Sequence, residues 1–253
     1  MDMPAFLNTR FQAIAHRGGA DPAAGTENTL EAFRYAYDLG YRYLETDVHV
    51  TADGVPVIFH DAILSRVSDS VGAIADMPLE KLRQIHLGHG GSIPTVAELL
   101  SAFPDVAFNL DIKATGVAAP LARVLGKLRA SDRVLVTSFS KQRLDSFRSI
   151  AGPTYTVGAP QSVVVGYVAH AKLGWKLPDY PAAALQVPVG KGPIKVVTPR
   201  FVAECHKAGR KVHVWTIDDE AEMNRLIDMG VDGIMTDRAD ILKKVLVQRG
   251  LWK

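Results

Sequence analysis

Short runs of β-branched and aromatic residues alternate along the chain with longer segments whose apolar residues recur at helical spacing. This alternation favours βα units and a parallel sheet over a β-sandwich. The predicted strands span residues 11–15, 43–50, 106–112, 133–138, 154–157, 183–187, 211–216 and 233–236. Eight such units match a closed barrel, so we predict the α/β class and a (β/α)8 TIM barrel.

The helical segments carry ordinary start and stop signals. Asn28 or Thr29 can cap the first predicted helix, and Gly40 ends it. Pro199 begins a later helix that ends at Gly209 in the same way. The last two predicted helices span residues 220–229 and 239–251.

One segment interrupts the alternation after the second strand. Between His60 and Pro94 no convincing strand is evident, and residues 87–91 are rich in glycine. We predict a single catalytic domain over residues 1–253, with a small insertion at about residues 62–94 that lies over the barrel mouth. For the glycine-rich part alone, a flexible surface loop fits equally well.

Composition narrows the class of protein. The 253 residues, 47% of them apolar, fit one barrel-sized domain, and 29 basic against 27 acidic residues give a net charge of +2 without a basic block. Nucleic acid is therefore not an expected partner. Cys205 is the single cysteine, which excludes an intramolecular disulfide, and no signal-like or membrane-spanning apolar run is present. We expect a cytoplasmic protein without a transmembrane segment, and homo-oligomerisation stays open.

Three carboxylates lie on two adjacent predicted strands. Glu45 and Asp47 are two residues apart and point to one face of their strand, and Asp111 can approach them from the next strand. Buried carboxylates need compensation, and an all-oxygen set suits Mg²⁺ or Ca²⁺. For the Glu45–Asp47 pair alone, a solvated strand end held by Arg42 is an equal alternative.

Lys113 shares the face of Asp111 and has two possible roles. It can bind an anionic substrate or only neutralise Asp111, and the sequence leaves both open.

Two histidines and an arginine follow apolar runs near these carboxylates. His16 and Arg17 follow the first strand and precede two glycines that permit close approach of a ligand, and His60 follows the apolar run 55–59. Arg17 is suited to bidentate phosphate binding, or else it bridges loop carbonyls. A histidine pair beside carboxylates fits acid–base cleavage of a phosphodiester.

Further residues at the same rim are candidates for substrate contact. Trp215 can form an apolar wall, or else it is a core residue, and Glu27 and Asn28 lie in the first βα loop, where a supporting role is expected. The glycine-rich segment 190–193 is more typical of a solvated turn than of a phosphate loop.

The order of these fragments resembles the glycerophosphodiester phosphodiesterase family. The fragments are His-Arg-Gly (16–18), Glu-Asn-Thr (27–29), Glu-x-Asp (45–47), His-Asp (60–61), Asp-x-Lys (111–113) and Trp-Thr (215–216). The resemblance implies one divalent cation, Mg²⁺ or Ca²⁺, on Glu45, Asp47 and Asp111. It also implies an acid–base pair formed by His16 and His60. Arg17 and Lys113 would hold the phosphate, and Trp215 would line the pocket.

The implied reaction is hydrolysis of a glycerophosphodiester to glycerol 3-phosphate and an alcohol. The family usually has glutamate where this chain has Asp111, so the shorter side chain must reach the cation by a backbone shift, a larger ion or a bridging water. Two alternatives stay open. One is a lysophospholipase D, which would need an apolar groove beside the mouth, formed by residues 74–87. The other is a barrel that binds glycerophosphodiesters without cleaving them.

Overall fold

The computed structural model describes residues 3–19 and 27–252. Its strands are β1 (Gln12–His16), β2 (Tyr43–Val50), β3 (Pro56–Ile58), β4 (Ala107–Ile112), β5 (Val134–Thr137), β6 (Thr156–Gly158), β7 (Ala182–Pro188), β8 (Gly190–Lys191), β9 (Ile194–Lys195), β10 (Lys211–Trp215) and β11 (Gly233–Thr236). β3 pairs antiparallel with the end of β2, and β8 and β9 form a separate hairpin. The remaining eight strands are parallel to their neighbours.

These eight strands close into a barrel. They run in the order β1-β11-β10-β7-β6-β5-β4-β2, and β2 pairs again with β1. The predicted (β/α)8 TIM barrel is confirmed, and each predicted strand overlaps one barrel strand. All the carboxyl ends of the strands therefore lie at one end of the barrel, where active groups of such folds gather.

Helices connect the strands on the outside of the barrel, except for the short α2, which belongs to the segment after β3. They are α1 (Leu30–Asp38), α2 (Leu79–Leu82), α3 (Val96–Ala102), α4 (Ala118–Leu128), α5 (Lys141–Ala151), α6 (Gln161–Leu173), α7 (Pro199–Lys207), α8 (Glu220–Asp228) and α9 (Ala239–Gln248). Thr29, not Asn28, caps α1, because its side chain accepts a hydrogen bond from Ala32 N. This leaves the Asn28 side chain available for another contact. No helix in the described part of the chain is long and apolar enough to cross a membrane.

The two faces of β2 bury different kinds of residue. Leu44 and Val48 pack into the main apolar cluster beneath the helices, whereas Tyr43 packs with Ile14 and Met235 in the cluster at the barrel axis. Side chains alternate along a strand, so Glu45 and Asp47 share the inward face of Tyr43. The strand thus directs both carboxylates toward the barrel interior.

The segment after β3 has a small core of its own. It is pinned by isolated bridges between Ile63 and Ala73 and between Ser68 and Leu87. Its buried cluster comprises Val57, Phe59, Leu64, Ile74, Met77, Leu82, Ile85, Leu87 and Ile93. The apolar side chains of residues 74–87 that belong to this cluster pack against one another. Being buried in this core, these side chains are not available to line the apolar groove that the lysophospholipase alternative required.

Candidate active site

The first strand delivers a histidine and an arginine to the carboxyl-end rim. His16 ends β1, and Arg17 adopts a left-handed backbone (φ 53°) as the chain turns. A Cβ at Gly18 would lie 2.7 Å from the Ala32 backbone, so only glycine permits this close passage over the start of α1. The turn aims the Arg17 side chain back over the barrel mouth.

The three predicted carboxylates are all buried at this end of the barrel. Asp47 and Asp111 are register partners on β2 and β4, and each lies within 3 Å of the Lys113 ammonium, with Nζ–Oδ distances of 2.8 and 2.7 Å. Lys113 therefore neutralises two carboxylates rather than Asp111 alone. Arg42 does not hold Glu45 or Asp47 at a solvated strand end, since it pairs with Asp105.

Arg17 and Asn28 hold Asp47 from the opposite side. Arg17 Nε lies 3.2 Å from Asp47 Oδ2, and Asn28 donates to the same oxygen at 2.9 Å while it accepts from Thr46 Oγ1 at 2.7 Å. Burial acts to raise the pKa of Asp47, but Lys113 and Arg17 outweigh it and lower the pKa. Among the described residues, the Arg17 guanidinium contacts two carboxylates, since it also donates to Glu27 at 2.9 Å.

Glu45 is the least compensated of the three carboxylates. Among the described residues, its Oε2 accepts a long bond (3.3 Å) from Arg17 N and lies 3.7 Å from His16 Nε2. Burial, followed by repulsion from Asp47, raises the pKa of Glu45 to about 7, against the opposing charges of His16 and Lys113. A buried carboxylate beside a second one is an environment that favours an added cation.

The two predicted acid–base histidines have matching partners. His16 Nδ1 lies 2.7 Å from Asp237 Oδ1, and His60 Nδ1 lies 2.7 Å from Asp61 Oδ1. Each carboxylate favours the tautomer with the proton on Nδ1, which leaves Nε2 for the mouth. Burial acts to lower the pKa of His16, but the charge of Glu45 and the hydrogen bond to Asp237 raise it overall.

Two aromatic side chains border the barrel mouth, one at the end of β10 and one after β5. Trp215 is half-buried at the end of β10, and its ring meets Phe139 edge-to-face at 5.8 Å. Phe139 is 54% exposed, and its ring lies 5.8 Å from the Lys113 ammonium. Trp215 therefore lies at the rim and also packs against the axial cluster. It combines features of the two alternatives, an apolar wall at the mouth and a core residue.

The carboxylate set suits a hard divalent cation by its chemistry. Among residues 3–19 and 27–252, no three histidine, cysteine or acidic side chains converge at the spacing of a preformed metal site. The Lys113 ammonium lies between Asp47 and Asp111, where both carboxylates stabilise its charge. The all-oxygen donors and the raised pKa of Glu45 fit a cation that joins the lysine in compensating them.

All ten predicted site residues belong to one contact network. His60 joins it through Asp61 and Arg66, because the Arg66 guanidinium contacts both Asp61 and Glu27. Sequence reasoning missed Asp61 and Arg66 as members. The His60-Asp61 adjacency was a usable signal for the first, whereas Arg66 lies in a segment without periodicity and gave none.

A family model confirms the resemblance that the sequence motifs indicated. The model described as the "Glycerophosphoryl diester phosphodiesterase family" matches residues 16–241. The chain belongs to this family. The matched region contains every predicted site residue, from His16 to Trp215.

Individual relatives of this family member cover nearly its whole length. A Mycobacterium tuberculosis protein named "Probable glycerophosphodiester phosphodiesterase 2" is 39% identical over 95% of this chain and 92% of its own. A lysophospholipase D of Rattus norvegicus is 25% identical over 96% of this chain and 90% of its own. The solved structure of an Oleispira antarctica phosphodiesterase "in complex with the product sn-glycerol-3-phosphate" has a TM-score of 0.76 and 27% identity, covering 93% and 96% of the two chains.

Proposed function

We propose that this protein hydrolyses glycerophosphodiesters to sn-glycerol 3-phosphate and an alcohol, with His16 and His60 as the acid–base pair. The observation that supports it is the pair of imidazoles, each fixed at Nδ1 by a carboxylate, beside a buried cluster of acidic and basic groups. The product-bound Oleispira structure names the same product. Family membership makes this reaction class the first to test.

Binding of the phosphate is assigned to two cations of the network. The Arg17 guanidinium and the Lys113 ammonium bind the non-bridging oxygens, which stabilises the charge that develops as the pentacoordinate state forms. Glu27 and Asn28 orient Arg17 and Asp47 through the hydrogen bonds already described. Trp215 forms an apolar wall beside the glycerol moiety.

Proton transfer is assigned to the two imidazoles. The raised pKa of His16 favours its protonated form, which donates from Nε2 to the departing alcohol oxygen. As the nucleophile attacks phosphorus, His60 accepts its proton at Nε2; the nucleophile is either water or the neighbouring glycerol hydroxyl. The hydroxyl route gives a cyclic phosphate, which water must then open to glycerol 3-phosphate.

Glu45, Asp47 and Asp111 would hold one divalent cation, Mg²⁺ or Ca²⁺. When bound, the cation supplies Lewis-acid screening of the phosphate charge at the cluster where Lys113 and Arg17 already compensate two of the carboxylates. The chain's own contribution is the orientation of these three side chains by β2 and β4. An activity assay with each added ion shows which of the two supports turnover.

The test is release of glycerol 3-phosphate from a panel of glycerophosphodiesters, with chelator and with added Mg²⁺ or Ca²⁺. We expect turnover that a chelator abolishes and that is lost in the double variant His16→Ala, His60→Ala. Unchanged turnover in that double variant refutes the acid–base assignment. Turnover with no cyclic phosphate at any time point of a rapid quench refutes the hydroxyl route, whereas solvent ¹⁸O enters the phosphate by both routes.

Lysophospholipase D activity is the second candidate, favoured by the name of the rat relative. Most apolar side chains of residues 74–87 are buried in the small core after β3, so they cannot contact an acyl chain. This favours a substrate without an acyl chain. Faster turnover of lysophosphatidylcholine than of glycerophosphocholine would reverse the order of the two candidates. The non-cleaving alternative predicts binding without product, and the oriented histidine pair is superfluous for binding alone. A cytoplasmic location stays a prediction.

A further inference from the structure

Arg66 joins two parts of the site that come from distant segments. It lies in the segment after β3, which no predicted element covers, and its guanidinium faces two carboxylates at once. One is Asp61, which holds His60 at Nδ1, and the other is Glu27, which receives a hydrogen bond from Arg17. A chain of contacts thus runs from the His60 imidazole to the Arg17 guanidinium.

All three nitrogens of the Arg66 guanidinium are used. Nη1 and Nη2 donate to the two oxygens of Glu27 at 3.1 and 2.5 Å, and Nε donates to Asp61 Oδ2. This is a bidentate fork on one carboxylate with a third bond to another, a geometry that a lysine ammonium cannot reproduce. The contacts fix the relative position of the two carboxylates as well as their charge.

The geometry points to Arg66 as a positioning residue that sets His60 relative to Arg17. The inference rests on the proposed function, because it gives the proposed proton-transfer group and the proposed phosphate-binding group a shared support. Asp61 and Glu27 each touch one of these groups directly, and Arg66 acts through both. Arg66 itself is 45% exposed at its side chain, so its replacement does not open a buried cavity.

A second contact fixes the backbone of His60 but does not orient its ring. His49 is buried at the end of β2, and its Nε2 lies 3.1 Å from the His60 carbonyl oxygen. This contact fixes the backbone of His60 but not the direction of its ring. The ring direction depends on Asp61, and Asp61 is tied to the rest of the site by Arg66.

The test compares Arg66→Met and Arg66→Lys with a matched arginine of the same segment. Arg83 is similarly exposed at 54% and pairs with a single carboxylate, Glu98, at 2.6 Å, so Arg83→Met is the control. We expect both Arg66 variants to fold with the wild-type melting temperature and to lower kcat/KM on glycerophosphocholine at least 10-fold. Arg83→Met should stay within 2-fold of wild type. Arg66→Lys at wild-type activity would overturn the inference, because charge alone would then suffice.

A second readout separates this inference from the proposed function. Loss of Arg66 removes the contact that holds Asp61 in place beside the imidazole. The ¹⁵N NMR shifts of the His60 ring should therefore show a weaker preference for the tautomer protonated at Nδ1 in Arg66→Met than in wild type or Arg83→Met. This measurement needs no substrate. If wild-type protein shows no turnover, the proposed function fails while the ring spectrum still tests the coupling. Identical His60 ring spectra in Arg66→Met and wild type would overturn the inference even in an active enzyme.

Discussion

His16 Nδ1 and Asp237 Oδ1 lie 2.7 Å apart although 221 residues separate them in the chain. The contact forms because β11 pairs with β1 and closes the barrel, which brings the residue after the last strand beside the end of the first. Asp237 is itself held, since its backbone N donates to Asp218 at 2.8 Å. Barrel closure therefore determines the orientation of one proposed catalytic imidazole.

Replacement of Asp237 by asparagine is expected to lower activity without unfolding the protein. The asparagine amide can present an N–H to Nδ1, which favours the opposite tautomer and places a proton on Nε2 of the neutral ring. We expect kcat on glycerophosphocholine to fall about 10- to 100-fold, the usual effect of losing a partner that orients a site histidine. Steady-state kinetics at constant metal concentration measure it.

A nearby acidic residue serves as the control for this variant. Asp240 lies three residues further on and pairs with Arg238 at the surface. Asp240→Asn should keep wild-type kcat. If Asp237→Asn also keeps wild-type kcat, the orienting role of Asp237 is refuted.

We expect removal of divalent ions to abolish activity. We also expect the Asp111→Asn variant to need more added cation than wild type. Asn keeps one oxygen but removes the charge that Lys113 and the cation share. We expect the concentration of Mg²⁺ or Ca²⁺ for half-maximal activity to rise by about 10-fold or more. Titration of chelated enzyme with each ion measures it.

The control for the cation titration lies at the opposite end of the barrel. Asp105 precedes β4, pairs with Arg42 and is half exposed, so Asp105→Asn should leave the titration curve unchanged. An Asp111→Asn curve that superimposes on that of wild type would refute a cation at these three carboxylates.

The barrel was predictable because its strands are short apolar runs bounded by turn residues. A strand that is buried on both faces is a short apolar run whichever strands it pairs with. All eight barrel strands were therefore located within a few residues. The short strands β3, β8 and β9 were missed because two or three residues carry no periodicity. The turn between β8 and β9 nevertheless lies in solvent, as its glycines predicted.

The members of the site were also predictable, because they follow strand ends and the carboxyl ends of parallel strands share one rim. Their pairings were not. Lys113 had two possible roles in the sequence, and only the register of β2 with β4 shows it between Asp47 and Asp111. The contacts of Arg66 depend on how an irregular segment folds back, which no local pattern encodes.

Trp215→Ala is expected to raise KM for glycerophosphocholine several-fold, with a smaller effect on kcat. The indole packs edge-to-face on Phe139 at the rim and carries no acid–base group, so its loss removes apolar contact rather than proton transfer. Trp175→Ala is the matched control, because Trp175 is 64% exposed and lies between α6 and β7, at the other end of the barrel. A fall in kcat with unchanged KM would contradict the assignment of Trp215 to substrate binding.

His213 lies at the centre of a buried hydrogen-bond chain beneath the site. Its Nε2 lies 3.1 Å from Gln12 Oε1 and its Nδ1 lies 3.4 Å from Gln186 Nε2, while Asn109 donates to Gln186 Oε1 at 3.0 Å. This arrangement suits a neutral ring that donates at Nε2 and accepts at Nδ1. Burial lowers the pKa of His213 to about 4, because a charged ring would lose its hydration and face a second donor at Nδ1.

The free energy of unfolding should therefore depend on pH through His213. The unfolded chain binds a proton near the ordinary histidine pKa of 6.5, whereas the folded chain does so only near 4. Stability from this group is complete above pH 6.5 and is lost as the pH falls toward 4, by about 3 kcal/mol over that window. Urea denaturation at several pH values measures it. His213→Asn should flatten the curve between pH 6.5 and 4, and His86→Asn, at an exposed position, should parallel wild type. Parallel curves for wild type and His213→Asn would contradict a neutral, buried His213.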